Sequence, residues 1–209
     1  MNGVSLCAGC HTFRTQSFHQ NPVWADVWLR ENRGSDLELI RTTMNEIQKW
    51  SIEDMQEKLI NDIQAYFPNV FIGKGVQICG VGSVRIEDGS CISDDVWLNV
   101  CVRDNRPRLK IGVCVLIGRR NVISTGGTLE IGDYCILAPD VYVGDVDHNY
   151  QGDINKPILI RGTTDLRNLI IEESCWLAMN SVVTGNLTIG RGSVIGANSV
   201  VTRDVPPFT

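Results

Sequence analysis

Residues 171–202 read IEESCWLAMNSVVTGNLTIGRGSVIGANSVVT, and this stretch decides the fold. Within it an aliphatic residue returns at every sixth position, at Ile171, Leu177, Val183, Ile189, Ile195 and Val201. A period of six fits neither the roughly 3.6-residue turn of an α-helix nor the roughly two-residue alternation of a half-buried strand. It is typical of a chain that turns a corner every six residues and points one aliphatic side chain inward on each side. Three sides make a coil of about 18 residues, and stacked coils make a parallel β-helix.

The same register extends from residue 72 to residue 206. After an incomplete start at Ile72 and Ile78, the coils are 86–103, 111–128, 131–148, 171–188 and 189–206. Short breaks are predicted at 104–110 and at Leu129–Glu130, and one long loop at 149–170. Four positions after each aliphatic residue the chain is mostly small or β-branched, which a tight corner requires because a large side chain would overpack it. The sequence therefore predicts an all-β repeat domain over residues 70–207, with the loop 149–170 inserted in it.

Residues 1–69 have a different pattern and are predicted to be a small helical region. Ser35-Asp36-Leu37-Glu38 is a capping-box sequence, and a second helix is expected to begin at Ser51 and end at Phe67-Pro68-Asn69. Asn21-Pro22 is expected to open a shorter helix. Helices this short are marginal alone, so their apolar faces need a partner.

Composition favours a cytoplasmic enzyme or scaffold. The chain has 209 residues and a net charge of −5, which gives no general reason to expect nucleic acid. The sequence has no apolar stretch of membrane-spanning length, and its start lacks the charged and apolar segments of a signal peptide. Cys135 and Cys175 occupy inward corner positions and are interpreted as reduced, structural thiols.

The N-terminal motif Cys7-Ala8-Gly9-Cys10-His11 has the spacing of a covalent haem site, and a pair of cysteines so spaced also holds zinc in some proteins. Haem attachment requires export, and zinc requires further ligands that are not evident nearby. Free thiols are the favoured interpretation, and no metal is predicted.

His148 is the histidine best placed for chemistry. Of the three histidines, only His148 lies in the repeats, at the end of a coil where the long loop departs. An imidazole at that edge suits a general base near neutral pH, although a plain surface histidine remains the alternative. A β-helix carbonic anhydrase is disfavoured, because its zinc needs three histidines.

Three stretches resemble the hexapeptide-repeat acyltransferases, with galactoside and maltose acetyltransferases and the O-acetyltransferases of bacterial surface polysaccharides as the nearest relatives. They are Gly126–Val141, Asp147-His148-Asn149 and the closing Ile195–Pro207. The resemblance covers about two thirds of the chain. It implies a left-handed β-helix, a homotrimer, and acetyl-CoA bound in a groove between two subunits. Handedness rests on the resemblance alone, because parallel crossovers are otherwise right-handed in about 98% of cases.

The resemblance also implies roles for particular residues. His148 matches the catalytic base, and Trp176 matches a tryptophan near the active site. Ala197, Thr202 and Arg203 match positions that contact the CoA arm, with Arg203 where the family usually has lysine. Met179, where the galactoside enzyme has serine, departs from the pattern. Trp176 as a cover for the β-helix flank, and Ala197 and Thr202 as residues that the repeat itself requires, remain open alternatives.

The acceptor side is matched to no motif. Asp147 and Asn149, which flank His148, and Arg119 are predicted to bind the acceptor, and Arg103, Asp104 and Asn105 are further candidates on neighbouring coil edges. Four cations are candidates for the CoA phosphates: Lys156, Arg161, Arg167 and Arg191.

The resemblance implies an acetyl-CoA-dependent O-acetyltransferase that acts on a hydroxyl of a sugar or polysaccharide precursor. An amino-sugar N-acetyltransferase on the same scaffold and a non-catalytic β-helix subunit of a larger assembly are the alternatives.

Overall fold

Short parallel strands, each two to four residues long, build three sheets in the computed structural model, which describes residues 52–102 and 104–209. Of residues 52–56 the backbone alone is described. Sheet A holds β1 (Phe71–Ile72), β4 (Cys91–Ile92), β7 (Leu116–Ile117), β10 (Ile136–Leu137), β13 (Trp176–Leu177) and β16 (Val194–Ile195). Sheet B holds β2 (Gln77–Cys79), β5 (Trp97–Val100), β8 (Val122–Thr125), β11 (Tyr142–Gly144), β14 (Val182–Thr184) and β17 (Val200–Val201). Sheet C holds β3 (Val84–Ile86), β6 (Leu109–Ile111), β9 (Thr128–Ile131), β12 (Asn168–Ile171) and β15 (Leu187–Ile189).

Consecutive strands visit the three sheets in turn, and each pairs in parallel with the strand one coil away. This is the predicted parallel β-helix. Inward residues of successive coils stack directly. Ile117, Leu137 and Leu177, for example, are in register and fully buried. Each coil buries its inward residues against the coils above and below, so stability accumulates by stacking.

Sheet C corrects three details of the predicted register. Its strands bury two residues each, as Leu129 and Ile131 do in β9 and Leu169 and Ile171 do in β12. The predicted break at Leu129–Glu130 is therefore wrong, because these residues continue the strand. For the same reason β6 and β12 begin at Leu109 and Asn168, inside the predicted breaks. The predicted incomplete start at Ile72 and Ile78 is confirmed, because β1 and β2 precede the first strand of sheet C, β3.

The corners explain where the insertions occur. Every turn from sheet A to sheet B contains a left-handed residue, and so does every turn from sheet C to sheet A. These residues are Gly75, Asp95, Arg120, Asp140, Asn180 and Asn198 at the first corner and Gly89, Cys114, Tyr134, Ser174 and Gly192 at the second. The same turn recurs in every coil, and neither of these two corners carries an insertion. The corner from sheet B to sheet C has no left-handed residue at a fixed position, and both long excursions, around residues 101–108 and 145–167, leave the coil there.

The outward faces of the sheets differ in polarity. Sheet A carries a stripe of apolar side chains in register that are between 41% and 62% exposed: Phe71, Leu116, Ile136, Trp176 and Val194. Sheet C instead carries charged residues, and Lys110 Nζ donates to Glu130 Oε1 at 2.6 Å. An exposed row of large apolar residues on a sheet face is typical of a protein interface.

The helix α1 (Ile52–Tyr66) confirms the helix predicted from Ser51 to the Phe67-Pro68-Asn69 terminator. Ile63 and Phe67 join the buried core, whereas Leu59 and Tyr66 are exposed. The amide of Gln64 donates to the Phe67 and Val70 carbonyls, each at 2.9 Å, and so fixes the passage into β1. The helices predicted at Asn21-Pro22 and Ser35–Glu38 and the Cys7–His11 motif lie outside the described residues.

Candidate active site

The candidate catalytic histidine lies on a hairpin that closes the long loop. His148 pairs with Thr163 in an antiparallel bridge. The Asn149 N–H donates to Gly162 O at 3.0 Å, and the Thr164 N–H donates to Asp147 O at 2.8 Å. The imidazole itself is exposed. The backbone of His148 is therefore held on both sides by the returning chain while its ring faces solvent.

An ion pair ties the two ends of the loop together. Arg167 Nη1 donates to Asp147 Oδ2 at 2.9 Å, and both side chains are only partly exposed. Arg167 immediately precedes β12, and Asp147 immediately precedes His148. The carboxylate of Asp147, which the sequence placed on the acceptor side, is thus engaged within the loop.

Asp145, the other carboxylate considered for orienting His148, is engaged as well. It is 1% exposed, and it accepts hydrogen bonds from Thr125 Oγ1 at 2.8 Å, Gly126 N at 2.7 Å and Gly127 N at 3.1 Å. Burial raises the pKa of its carboxyl above the usual range, and these three donors only partly offset the effect.

Three further candidates for binding the CoA phosphates also have partners within the chain. Arg161 donates to the carbonyl oxygens of Lys156, Tyr150 and Ile154 at 2.7, 2.9 and 3.3 Å and holds the loop in shape. Lys156 lies 3.7 Å from Asp153. Arg191 lies 3.9 Å from Glu173 and stacks over the Phe208 ring at 5.3 Å.

A column of uncharged polar side chains on sheet B leads to this corner. Asn99, Ser124, Gly144 and Thr184 are in register on β5, β8, β11 and β14. Asn99 Nδ2 donates to Ser124 Oγ at 3.1 Å. The Thr184 hydroxyl is buried with no hydrogen-bond partner among the described residues. This polar column runs from coil to coil along the corner from which the His148 loop departs.

Tyr142 borders the same column. A Cβ added at Gly144 would lie 2.5 Å from the Tyr142 hydroxyl, so the phenol covers that glycine. Burial raises the pKa of Tyr142, and the charges of Asp147 and Asp145 add to the effect. Tyr142 and the polar column were not predicted from the sequence, because only the inward positions of each hexad were considered. The uncharged polar residue that recurs at the outward position just before the corner could have indicated them.

The predicted CoA contacts lie elsewhere on the coil. Trp176 is 48% exposed on sheet A, between Ile136 and Val194. Ala197 is exposed at the corner from sheet A to sheet B. Within one chain, a full side of the triangular coil separates each of them from the corner that bears His148.

Thr202 and Arg203 do share the His148 corner. Both are exposed and follow β17, which lies two coils above β11 in sheet B. Two coil spacings amount to about 10 Å. One chain therefore brings His148, Thr202 and Arg203 to one edge, and it leaves Trp176 and Ala197 on others.

The acceptor candidates are also divided. Arg119 is exposed at the corner from sheet A to sheet B, away from His148. Asp104 forms a bidentate pair with Arg108, whose hydrogen bonds lower the pKa of the Asp104 carboxyl to about 2. Asn105 is exposed with a left-handed backbone, Asn149 is half-buried beside His148, and Arg103 lies outside the described residues.

Residues 57–102 and 104–209 contain no group of three or more metal-ligating side chains. In the part of the chain that the structure describes, no helix is long and apolar enough to cross a membrane.

Cys135 and Cys175 are buried free thiols that donate to the carbonyl oxygens of Glu172 at 3.0 Å and Gly190 at 3.2 Å, respectively.

Comparison with known proteins identifies relatives of the repeat. The sequence model of the family described as bacterial transferase hexapeptide (six repeats) matches residues 168–203. A probable acetyltransferase from Mycobacterium tuberculosis is 32% identical over 145 residues, which are 67% of this chain and 46% of that protein. The galactoside O-acetyltransferase of Escherichia coli is 34% identical over 80 residues, 38% of this chain and 37% of the enzyme. The chain thus spans less than half the length of these relatives.

Solved structures share the fold. A hexapeptide-repeat acetyltransferase from Vibrio cholerae superposes with a TM-score of 0.51 at 22% identity, covering 82% of this chain and 84% of that one. A variant of AntD, an N-acyltransferase from Bacillus cereus in complex with coenzyme A and dTDP-4-amino-4,6-dideoxyglucose, gives a TM-score of 0.55 at 17% identity. That match covers 66% of this chain and 73% of AntD.

Proposed function

The chain belongs to the hexapeptide-repeat acyltransferase family, and from this premise we propose that it transfers an acetyl group from acetyl-CoA to a hydroxyl of a sugar-type acceptor. The polar column beside His148 is the observation that carries the choice of acceptor. Asn99 is partly exposed and offers an uncharged amide, which suits hydrogen bonds to the hydroxyls of a neutral sugar, and the Ser124 hydroxyl beside it holds that amide in place. The nearby Asp145 and Asp147 are engaged by other partners.

In the proposed reaction His148 is the general base. Its imidazole accepts the proton of the acceptor hydroxyl while the hydroxyl oxygen attacks the thioester carbonyl. The tetrahedral intermediate then collapses, the carbon–sulfur bond breaks, and the imidazolium returns the proton to the departing CoA sulfur. A hydroxyl is a weak nucleophile until a base accepts its proton, and such catalysis contributes about 10²–10⁴ in rate.

A release assay for the CoA thiol tests this function directly. The protein is incubated with acetyl-CoA and a panel of neutral sugars and amino sugars, and free thiol is measured against time. Release that depends on a neutral sugar, with an alkali-labile product, supports O-acetylation. An alkali-stable product on amino sugars alone would favour the N-acetyltransferase, and no transfer to any acceptor would favour a non-catalytic subunit.

The functional unit is proposed to be a homotrimer with its sites between subunits. Trp176 and Ala197 lie on different edges of the coil from His148, and a cyclic assembly brings unlike edges of neighbouring copies together. The apolar stripe of sheet A is exposed in the described residues and supplies a surface for such contacts. In this arrangement acetyl-CoA lies between the Trp176 and Ala197 side of one subunit and the His148, Thr202 and Arg203 edge of the next.

Ala197→Trp is expected to raise KM for acetyl-CoA at least about tenfold, because the indole would fill the space of the pantetheine arm. Initial rates at varied acetyl-CoA concentration measure the change. Ile170→Trp is the matched control, since Ile170 faces outward on sheet C, where no predicted CoA contact lies. Unchanged KM in Ala197→Trp would show that the cofactor binds elsewhere.

A further inference from the structure

Gly126 and Gly127, here called the glycine corner, connect β8 to β9 where both ends of the His148 loop pass. A Cβ at Gly127 would overlap the carbonyl oxygen of Arg167, and one at Gly126 would lie 3.1 Å from Val146 Cγ2. The chain that enters the loop and the chain that leaves it therefore both press against these two residues. A side chain at Gly127 is excluded because the two backbones are in close contact, and one at Gly126 would crowd the Val146 side chain.

Asp145 holds the glycine corner from one side. Its carboxylate accepts hydrogen bonds from both glycine N–H groups and from the Thr125 hydroxyl. Its own N–H donates to Ser124 O at 3.3 Å. Asp145 lies three residues before His148, so these bonds fix the start of the segment that carries the imidazole.

Arg108 holds the same corner from the other side. Its Nη1 donates to Gly127 O at 2.9 Å, while Nε and Nη2 bind the Asp104 carboxylate at 3.0 and 2.7 Å. Its side chain is only 12% exposed. The Asp145 carboxylate thus fixes the two N–H groups of the glycine corner, and the Arg108 guanidinium fixes the Gly127 C=O group. The two side chains come from two neighbouring coils.

The fixed corner is linked to the far side of the histidine turn. The Thr128 N–H, next to Gly127, donates to Arg167 O at 3.0 Å. The Arg167 side chain in turn binds Asp147, the neighbour of His148. His148 is therefore positioned from both directions along the chain, through Asp145 before it and through Arg167 and Asp147 beside it.

A purely structural corner does not require this arrangement. Burying a carboxylate is costly even when it is hydrogen-bonded, and most inward corner positions of this β-helix hold Ser, Cys or Val instead. We propose that Asp145 and Arg108 are positioning residues that fix the His148 imidazole for proton transfer by locking the glycine corner. This inference rests on the proposed function, in which His148 is the base.

Asp145→Asn tests the proposal with little change in size. An amide offers one oxygen in place of two, so at least one glycine N–H loses its acceptor. We expect kcat to fall about tenfold to a hundredfold, because small misplacements of a catalytic group have effects of this order. KM for acetyl-CoA should stay within about twofold, because the CoA contacts lie on other residues.

Two comparisons separate positioning from a general loss of structure. Ser90→Ala is the matched control, because Ser90 is also buried and bridges two coils, donating to Gly112 O at 2.7 Å and accepting from Val115 N at 2.9 Å, but at another corner. It should leave kcat unchanged. In a His148→Ala background, Asp145→Asn should produce no further loss of the residual rate, because residues that act through one group are not additive.

Arg108→Lys, which keeps the charge but loses the bidentate geometry, should reproduce the kcat effect in a milder form.

Amide hydrogen exchange gives a readout that does not need turnover. The peptides that contain the Asn149 and Thr164 N–H groups should exchange faster in Asp145→Asn than in the wild type, and those around Ser90 should not. The proposal would be overturned if Asp145→Asn showed wild-type exchange in these peptides or wild-type kcat. It would also be overturned if Asp145→Asn lowered the residual rate of His148→Ala by the same factor as it lowers the wild-type rate. If the wild type transfers no acetyl group to any acceptor, the proposed function fails, and the exchange comparison alone decides whether the corner positions the turn.

Discussion

His148→Ala is expected to lower kcat by at least about a hundredfold while acetyl-CoA binding changes little. The reason is that a general base acts mainly in the transition state, where it accepts the proton of the attacking hydroxyl. The imidazole is exposed and its backbone is fixed by the hairpin with Thr163, so the substitution removes the base without removing packing. Steady-state kinetics with a verified acceptor measure kcat, and calorimetry measures CoA binding.

Gln151→Ala is the matched control for the loop. Gln151 is also exposed and lies three residues away, and its amide bonds only to the neighbouring Tyr150 hydroxyl at 3.3 Å. It should retain the wild-type rate. Near wild-type turnover in His148→Ala would show that the mechanism is wrong.

The hexad period was sufficient to predict the architecture. Most inward residues predicted from it, such as Ile123, Leu137 and Leu177, are fully buried, Ile78 and Val201 are partly buried, and the small corner residues Ser90 and Ser181 are buried as well. The errors all fall on sheet C, where the strands bury two residues in place of one. A strict period of six reads the extra residue as a break, although the alternation Leu187-Thr188-Ile189 already indicated a strand with both ends facing inward.

The candidate site was less predictable, because its parts come from different coils. His148 could be found from its position at the start of the long loop. The glycine corner could not be assigned a role, since the partners of Gly127 are Arg108, Asp145 and Arg167, which lie 18 to 40 residues away. Nor does the sequence show that Asp147 is paired with Arg167, because such a contact depends on how the loop returns.

The separation of Ala197 from His148 leads to a second large expected effect. If each site takes His148 from one subunit and Ala197 from its neighbour, two defective variants can complement each other in a mixed trimer. His148→Ala supplies an intact cofactor side, and Ala197→Trp supplies an intact base. Every subunit still carries one substitution, but some interfaces then combine the native His148 of one subunit with the native Ala197 of its neighbour.

Equal co-expression of the two variants is expected to restore about one quarter of wild-type activity, because each side of a cyclic interface is native in half of the cases. Assayed at acetyl-CoA well below the wild-type KM, where a tenfold higher KM leaves Ala197→Trp about one tenth of the wild-type rate, this is more than about a twofold gain over that variant and at least about a twentyfold gain over His148→Ala. Light scattering should give the mass of three chains for the wild type and for the mixture.

The control is His148→Ala co-expressed with the His148→Ala, Ala197→Trp double variant, which contains no native base and should stay inactive. Activity no higher than the mean of the separate variants, or a stable monomer at micromolar concentration, would show that the site does not lie between subunits.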